Sequence, residues 1–214
     1  LYGKVGIIAY YQDNHKKAKF YLENAKKQYD QLNKQKNEDK LNIIQIISYL
    51  GDTYRNLGDY EKAKTLLEKS LHYYPEMDPL EKAHTLLCLG NTYRNLGRYK
   101  KALIFIKESL LFYEKNHRGY VHALALLGII EGELGNYNQA QSSFQKSLDE
   151  YAIIFPQEPA GKAWVLVYLG DLYRKMENYE EAKKKLMQGL KIHQEQLSQN
   201  HTYKAWVLAH LGNT

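Results

Sequence analysis

The sequence predicts an all-α fold assembled from repeated pairs of antiparallel helices. One observation behind this prediction is that LGDTYRNLGDYEKA at residues 50–63 returns as LGNTYRNLGRYKKA at residues 89–102, with three changes at polar positions. Another is that leucine–glycine pairs recur at spacings of 39, 38, 42 and 42 residues. Self-similarity at periods of about 20–50 residues is typical of stacked supersecondary units. The repeat glycines are Gly51, Gly90, Gly128, Gly170 and Gly212, and Gly6 fits as an earlier member.

Each unit is expected to contain two helices joined by a tight turn. The first helix should end near Gly58, Gly97 or Gly135, because glycine adopts the left-handed conformation of a helix C-terminal cap without strain. Polar residues suited to cap the second helix follow the turns, and these are Asn14, Asp59, Asn136 and Asn178. An alanine stands twelve residues after each repeat glycine, namely Ala18, Ala63, Ala102, Ala140 and Ala182. Small residues at these points allow two antiparallel helices to approach closely.

The composition and charge narrow the class of protein. Of 214 residues, 44% are hydrophobic and 25% are charged, which indicates a folded chain. No apolar run approaches the roughly 18 residues of a membrane span, and there is no signal-peptide pattern, so no membrane association is expected. A single cysteine, Cys88, fits a reducing compartment, and we predict a cytoplasmic protein. The net charge of +6 favours acidic partners, although solubility alone could explain it.

The spacing of glycine, tyrosine and alanine in these copies resembles that of the tetratricopeptide repeat family. The family's usual period is about 34 residues. The longer period found here is similar to the variants in kinesin light chains, spindle-orientation adaptors and bacterial repeat arrays. The resemblance implies a right-handed superhelical solenoid of antiparallel helix pairs. Two positions depart from the pattern: Glu131 replaces a tyrosine in the fourth copy, and Glu177 replaces a turn glycine in the fifth.

The resemblance extends over the whole chain, which we therefore interpret as a single array. The predicted repeats are residues 1–38, 39–78, 79–116, 117–158 and 159–200, followed by a partial repeat at 201–214. Because the last copy stops inside its first helix and lacks the polar cap of a terminal repeat, we expect a fragment of a longer array.

One side of each first helix is not needed for packing within or between repeats. A helix turns by about 100° per residue, and this rotation places one arc of each first helix on the inner, concave surface of the stack. We predict that a peptide binds along this arc. The candidate binding residues are Asp52, Arg55, Asn56, His84, Asn91, Arg94, Asn95, His122, Ile129, Trp164, Asp171, Arg174, Lys175 and Trp206. The first copy contributes Tyr10 and Tyr11 to the same arc.

The chemistry of these side chains suits an extended, acidic ligand. Arginine presents a planar fork that matches a carboxylate, and asparagine can both donate to and accept from a peptide backbone. In the fourth copy Ile129 and Gly132 interrupt this ladder, which predicts an apolar notch there. Trp164 and Trp206, which lie in matching KAWVL segments, are candidate apolar anchors.

Simpler structural interpretations exist for the same residues. Asp52 and Arg55 are three apart on one helix, as are Asp171 and Arg174, so both pairs suit local salt bridges. For each tryptophan, packing between neighbouring repeats is slightly favoured over contact with a ligand. The sequence alone leaves these alternatives open.

The leading prediction is a non-catalytic scaffold that binds an extended, acidic peptide or protein segment in a concave groove. No catalytic motif or metal-ligand spacing is present, so we predict neither an enzyme nor a cofactor. One alternative is a ligand-sensing module of a larger signalling protein. A weaker one is single-stranded nucleic-acid binding, which the basic charge favours but the acids Asp52, Glu133 and Asp171 oppose. The sequence does not predict an oligomeric state.

Overall fold

The computed structural model describes residues 1–32, 40–72, 78–157 and 159–196, and within these ranges it contains ten α-helices and no strand. In chain order they are α1 (Tyr2–Tyr11), α2 (His15–Leu32), α3 (Lys40–Asn56), α4 (Tyr60–His72), α5 (Pro79–Asn95), α6 (Tyr99–Phe112), α7 (Arg118–Glu133), α8 (Tyr137–Ile154), α9 (Pro159–Lys175) and α10 (Tyr179–Gln196). Each odd-numbered helix packs against the even-numbered helix that follows it. The predicted sixth first helix, with Trp206, lies outside the described residues.

The chain forms two compact units. Unit 1 is Leu1–Tyr113 and contains α1 to α6. Within it α1 packs against α3, and α3 against α5, so the first helices of three successive repeats lie side by side. Unit 2 is Glu114–Thr214, and in its described part α7 packs against α9 in the same way. None of the helices in the described ranges combines the length and apolar character that a bilayer crossing needs.

Within the described ranges, the repeat glycines lie where the two helices of a pair cross. A Cβ atom on Gly90 would come within 2.7 Å of Ile106 Cδ1, and one on Gly51 within 2.8 Å of Leu67 Cγ. Gly6 stands against Leu22 in the same manner, which confirms it as the first member of the series. The alanines that follow the glycines by twelve residues are fully buried: Ala18, Ala63, Ala102, Ala140 and Ala182. The predicted close approach of the paired helices is therefore confirmed.

The turn inside each pair requires a left-handed residue. Gly58, Gly97 and Gly135 have φ of 85°, 69° and 79°, as predicted for helix caps. At Gly58 the amide donates to the carbonyl of Arg55 at 3.0 Å, and the next amide reaches back to Tyr54 at 2.9 Å. This pair of bonds is the Schellman pattern of a helix C-terminus.

The predicted N-caps are confirmed at three of four positions. Asn14 accepts from the amide of Lys17 at 3.1 Å, and Asp59 accepts from Lys62 at 3.3 Å. Asn178 does the same for the amide of Glu181 at 3.3 Å. The prediction was wrong for Asn136, whose side chain makes no capping bond. Its ψ of 60° lies outside the extended region that N-cap residues normally occupy, so its side chain is not directed at the free amides.

Glu177 occupies the left-handed turn position of the fifth repeat with φ of 60°. A non-glycine residue there costs roughly 1–2 kcal/mol, because its Cβ crowds the following carbonyl oxygen. Replacing Glu177 with glycine is therefore expected to raise the free energy of unfolding by about 1 kcal/mol after the greater flexibility of the unfolded chain is subtracted. Thermal unfolding measures this change. Gly97→Ala is the reciprocal control and should destabilise by a similar amount; no change in either variant would contradict the argument.

Candidate functional site

A buried carboxylate organises the first helices of unit 1. Asp52 on α3 is only 1% exposed. It accepts hydrogen bonds from Tyr10 Oη on α1 at 2.5 Å, from Arg55 Nε at 2.5 Å and from Arg55 Nη2 at 3.2 Å. Burial alone would raise the pKa of Asp52, but the Arg55 guanidinium and these hydrogen bonds hold the pKa well below its usual range. Asp52 is thus an ionised, internally satisfied group that joins α1 to α3.

The polar atoms of Arg55 and Asn56 are therefore largely occupied by hydrogen bonds within the protein. The Arg55 side chain is 16% exposed, and its Nη2 also donates to Asn56 Oδ1 at 2.8 Å. Asn56 Nδ2 in turn lies 3.4 Å from Asp52 Oδ2. The local salt bridge that the spacing of Asp52 and Arg55 suggested is present.

Arg94 has a different environment on α5. Its Nε donates to Asn91 Oδ1 at 2.9 Å, where the preceding repeat has Asp52. Asn91 is buried but neutral, and Arg94 makes no ion pair with any described residue. The adjacent Asn95 is partly exposed at the end of the helix. Among the described residues of unit 1, Arg94 is therefore the arginine that no carboxylate pairs with.

An aromatic cluster lies beside Asp52, with side chains from α1, α3 and α5. We call it the aromatic patch, and its members are Tyr10, Tyr11, Tyr49 and His84. The Tyr49 ring centre is 5.1 Å from Tyr10, 5.8 Å from Tyr11 and 5.2 Å from His84. The hydroxyls of Tyr11 and Tyr49 are 2.5 Å apart. Tyr49 was missed at the sequence level, because a contact between two helices cannot be read from the rotation of one.

His84 also brings a ring nitrogen close to the lone cysteine. His84 Nε2 lies 3.6 Å from Cys88 Sγ one turn away on α5. Burial, together with the nearby Asp52, raises the pKa of the Cys88 thiol well above its ordinary value. A thiol that stays protonated is a poor nucleophile, so this pair does not form a reactive cysteine. Within the described ranges no group of three or more histidine, cysteine or acidic residues is arranged to hold a metal ion.

The two cations of unit 2 that were predicted to bind a ligand, Arg174 and Lys175, are paired with acids. Arg174 on α9 donates to Asp171 Oδ1 from Nε at 3.0 Å and from Nη2 at 2.7 Å. Lys175 bridges to Glu133 on α7 at 2.7 Å. The local pairing that the spacing of Asp171 and Arg174 suggested is present here too.

Trp164 lies between neighbouring repeats of unit 2. Its ring centre is 5.4 Å from that of His122 on α7 and 4.8 Å from that of Tyr168 on its own helix, both at edge-on angles. The packing interpretation of Trp164 therefore has direct support, although the side chain remains partly exposed. Trp206, its predicted counterpart, lies outside the described residues.

The apolar notch predicted at the fourth copy is wrong. Ile129 is 6% exposed. A Cβ on Gly132 would lie 3.2 Å from Leu172 Cδ1, so Leu172 from α9 already fills the space that the glycine leaves. The remaining hollow beside these residues has a volume of about 10 Å³, which is room for one water at most. Gly132 thus permits close packing of α7 against α9.

Comparison with known proteins agrees with this architecture. Three profiles described as tetratricopeptide repeat match residues 45–77, 81–151 and 165–195, which together make up more than half of the chain. No curated protein sequence matches the chain.

Solved structures show the same fold at low sequence identity. A putative kinesin light chain from Podospora anserina with nearly identical repeats is 14% identical, with a TM-score of 0.70 over 92% of this chain and 95% of that one. BtubC from P. vanneervenii is 16% identical, with a TM-score of 0.69 over 91% and 79% of the two chains. MamA from Desulfovibrio magneticus is 18% identical, with a TM-score of 0.62 over 91% and 94%. The predicted all-α class of paired helical repeats is confirmed, and the chain belongs to the tetratricopeptide repeat family.

Proposed function

We propose that this protein is a non-catalytic scaffold that holds an extended, acidic segment of a partner protein against the first helices of its repeats. Tetratricopeptide repeats suggest a protein–protein interaction scaffold, and the family is generally non-catalytic. The observation that carries the acidic character of the ligand is Arg94, whose guanidinium bonds to a neutral amide where Arg55 bonds to a carboxylate.

The second copy has Asp52 at the repeat position where the third copy has Asn91, and this difference changes the charge beside the neighbouring arginine. At Asp52 the positive charge of Arg55 is neutralised inside the protein. At Asn91 the Nε bond is kept with no negative charge, so Arg94 is oriented through Nε while its terminal nitrogens bond to none of the residues that the structure describes. A hydrogen bond from a charged group contributes about 1.5–3 kcal/mol. A ligand carboxylate is a suitable acceptor for the terminal guanidinium nitrogens of Arg94.

Asn95 supplies a second group suited to an extended ligand. It is the last residue of α5 and is partly exposed. Its amide can donate to and accept from a peptide backbone at once. The matching Asn56 is bonded to Arg55 and Asp52, so it is less available. The proposed contact region therefore centres on Arg94 and Asn95, with Asp52 and Arg55 holding α1 and α3 in place beside them.

The proposal assigns a smaller part to unit 2. Arg174 and Lys175 would have to exchange Asp171 and Glu133 for a ligand carboxylate, and replacing one partly exposed ion pair with another returns little net free energy. His122 and Trp164 offer aromatic surface between α7 and α9. The pairing of Arg55, Arg174 and Lys175 with acids also interrupts any basic strip, which argues against nucleic-acid binding.

Arg94→Ala is expected to weaken an acidic peptide ligand by roughly tenfold or more, because it removes a charge-assisted contact. A random peptide display library selected on the wild-type protein should return sequences enriched in Asp and Glu. Their affinities for the wild type and the variant can then be compared by fluorescence anisotropy at physiological salt.

Two variants sharpen this test. Asn91→Asp should weaken the same peptides, because it gives Arg94 the internal partner that Arg55 has. Arg98→Ala removes an equal charge from the helix start of α6, where Arg98 lies 3.6 Å from Glu61, and should leave affinity almost unchanged. Selected peptides without acidic residues, or equal affinities for the wild type and Arg94→Ala, would overturn the proposal.

A further inference from the structure

The aromatic patch of unit 1 is not explained by carboxylate binding. Its rings form a contiguous surface over three successive first helices, with Tyr10 and Tyr11 from α1, Tyr49 from α3 and His84 from α5. Tyr11 is 68% exposed, although a tyrosine at the end of a helix could have turned its ring toward the core. Exposed aromatic rings with a polar tip are typical of binding surfaces.

The hydroxyl groups of the patch include a hydrogen-bond donor for which the described residues provide no acceptor. Tyr11 Oη and Tyr49 Oη are 2.5 Å apart and share one hydrogen bond, in which either can donate. Each phenol carries one proton, so the hydroxyl that accepts keeps its own proton for another acceptor. Tyr10, in contrast, donates to the buried Asp52. The patch thus combines flat apolar rings with a hydroxyl donor.

The spacing of the helices favours one backbone conformation in a ligand. Packed helices lie about 8–10 Å apart. A polyproline II helix has three residues per turn and rises about 3.1 Å per residue, so its side chains return to the same face every 9 Å or so. A ligand in this conformation that crosses α1, α3 and α5 would present one equivalent residue to each helix. Its carbonyl groups make no internal hydrogen bonds and remain free to accept from tyrosine hydroxyls.

We infer that the aromatic patch binds a proline-rich, acidic segment of the partner in the polyproline II conformation, with prolyl rings on Tyr11 and Tyr49 and a carboxylate on Arg94. This inference rests on the proposed function and names the chemistry of its ligand. A helical ligand fits less well, because its carbonyls are occupied. A flexible extended ligand would also lose more conformational entropy than a preformed polyproline helix.

The test uses three labelled peptides: six prolines followed by glutamate, six alanines followed by glutamate, and six prolines followed by glutamine. Residues 1, 4 and 7 of each share one face, so the first peptide can present proline to α1 and α3 and glutamate to α5. They are called the Pro-Pro-Glu, Ala-Ala-Glu and Pro-Pro-Gln peptides. They are titrated against the full chain by fluorescence anisotropy at physiological salt. The wild type should bind the Pro-Pro-Glu peptide about tenfold more tightly than either of the others, since each control lacks one half of the recognition.

Single-residue variants test proline binding by the aromatic patch and carboxylate binding by Arg94 separately. Tyr11→Ala should reduce binding of the Pro-Pro-Glu peptide about tenfold and leave the Ala-Ala-Glu peptide unaffected. Arg94→Ala should weaken both glutamate peptides by the same factor. Tyr179→Ala, which removes a half-exposed tyrosine from α10, is the matched control and should change neither. Because Tyr11 is largely exposed, its variant should keep the melting temperature of the wild type.

The outcomes distinguish the two proposals. Equal binding of the Pro-Pro-Glu and Ala-Ala-Glu peptides, with no effect of Tyr11→Ala but a clear effect of Arg94→Ala, would overturn the polyproline inference and leave the acidic scaffold standing. If the Pro-Pro-Gln peptide binds as tightly as the Pro-Pro-Glu peptide, and Arg94→Ala does not change either affinity, the proposal that the ligand is acidic is overturned instead. No binding of any peptide would count against both.

Discussion

Replacing Asp52 with asparagine is expected to lower the free energy of unfolding by about 3 kcal/mol, since removal of one partner of a buried ion pair typically costs 3–5 kcal/mol. The asparagine keeps the shape of the side chain but leaves the Arg55 guanidinium without a negative charge, although that side chain is only 16% exposed. It also weakens the acceptor for Tyr10, which links α1 to α3. The variant should therefore loosen unit 1 as a whole.

Denaturant unfolding at neutral pH measures this loss. Asp171→Asn is the matched control, because it removes the same kind of i, i+3 partner from Arg174, whose side chain is twice as exposed as that of Arg55. Its cost should stay near or below about 1 kcal/mol. The double variant Asp52→Asn with Arg55→Leu should recover part of the stability, because no unpaired charge then remains. A loss no greater at Asp52 than at Asp171 would contradict the structural role assigned to this carboxylate.

The pH dependence provides a further check on the same residue. The pKa of Asp52 is lower in the folded protein than in the unfolded chain, where a free aspartate titrates near pH 3.9. The stabilisation is therefore fully present at pH values well above about 4 and is lost as the pH falls below it. The difference in stability between the wild type and Asp52→Asn should shrink steadily below about pH 4. A difference that stays constant down to pH 2 would show that the pKa of Asp52 is not lowered by folding.

The repeat architecture was predictable because each structural position occurs several times in the chain. The glycine at the helix crossing, the alanine twelve residues later and the left-handed turn are fixed by local geometry, and every copy gives an independent sample of them. Even Glu177, which breaks the glycine pattern, keeps the left-handed conformation that its position requires.

The functional surface was less predictable, because its contacts join helices that are far apart in sequence. Tyr10 reaches Asp52 across 42 residues, and Tyr11 meets Tyr49 across 38. The rotation of a single helix places a residue on a face, but it does not say which side chain from the next helix will lie there. One signal was visible in the sequence. Two nearly identical copies differ in having Asp52 or Asn91 at the same position, and Arg55 is neutralised by Asp52 whereas Arg94 lies beside the uncharged Asn91.

The crossing of the paired helices should tolerate almost no added volume, and Gly90→Ala tests this. The new Cβ would lie 2.7 Å and 2.8 Å from Ile106 Cδ1 and Cγ1 and 3.2 Å from the Ile106 backbone nitrogen, so the helix axes must separate. We expect a net loss of about 2 kcal/mol, because overpacking typically costs 1–3 kcal/mol and outweighs the better helix propensity of alanine. Gly132→Ala is the control, because its Cβ would meet no backbone atom. It would lie 3.2 Å from the terminal Cδ1 of Leu172 and 3.9 Å from Ala140 Cβ, and should leave stability within about 0.5 kcal/mol. Thermal unfolding compares the two; equal losses would show that the backbone contact at Ile106 does not set the helix spacing.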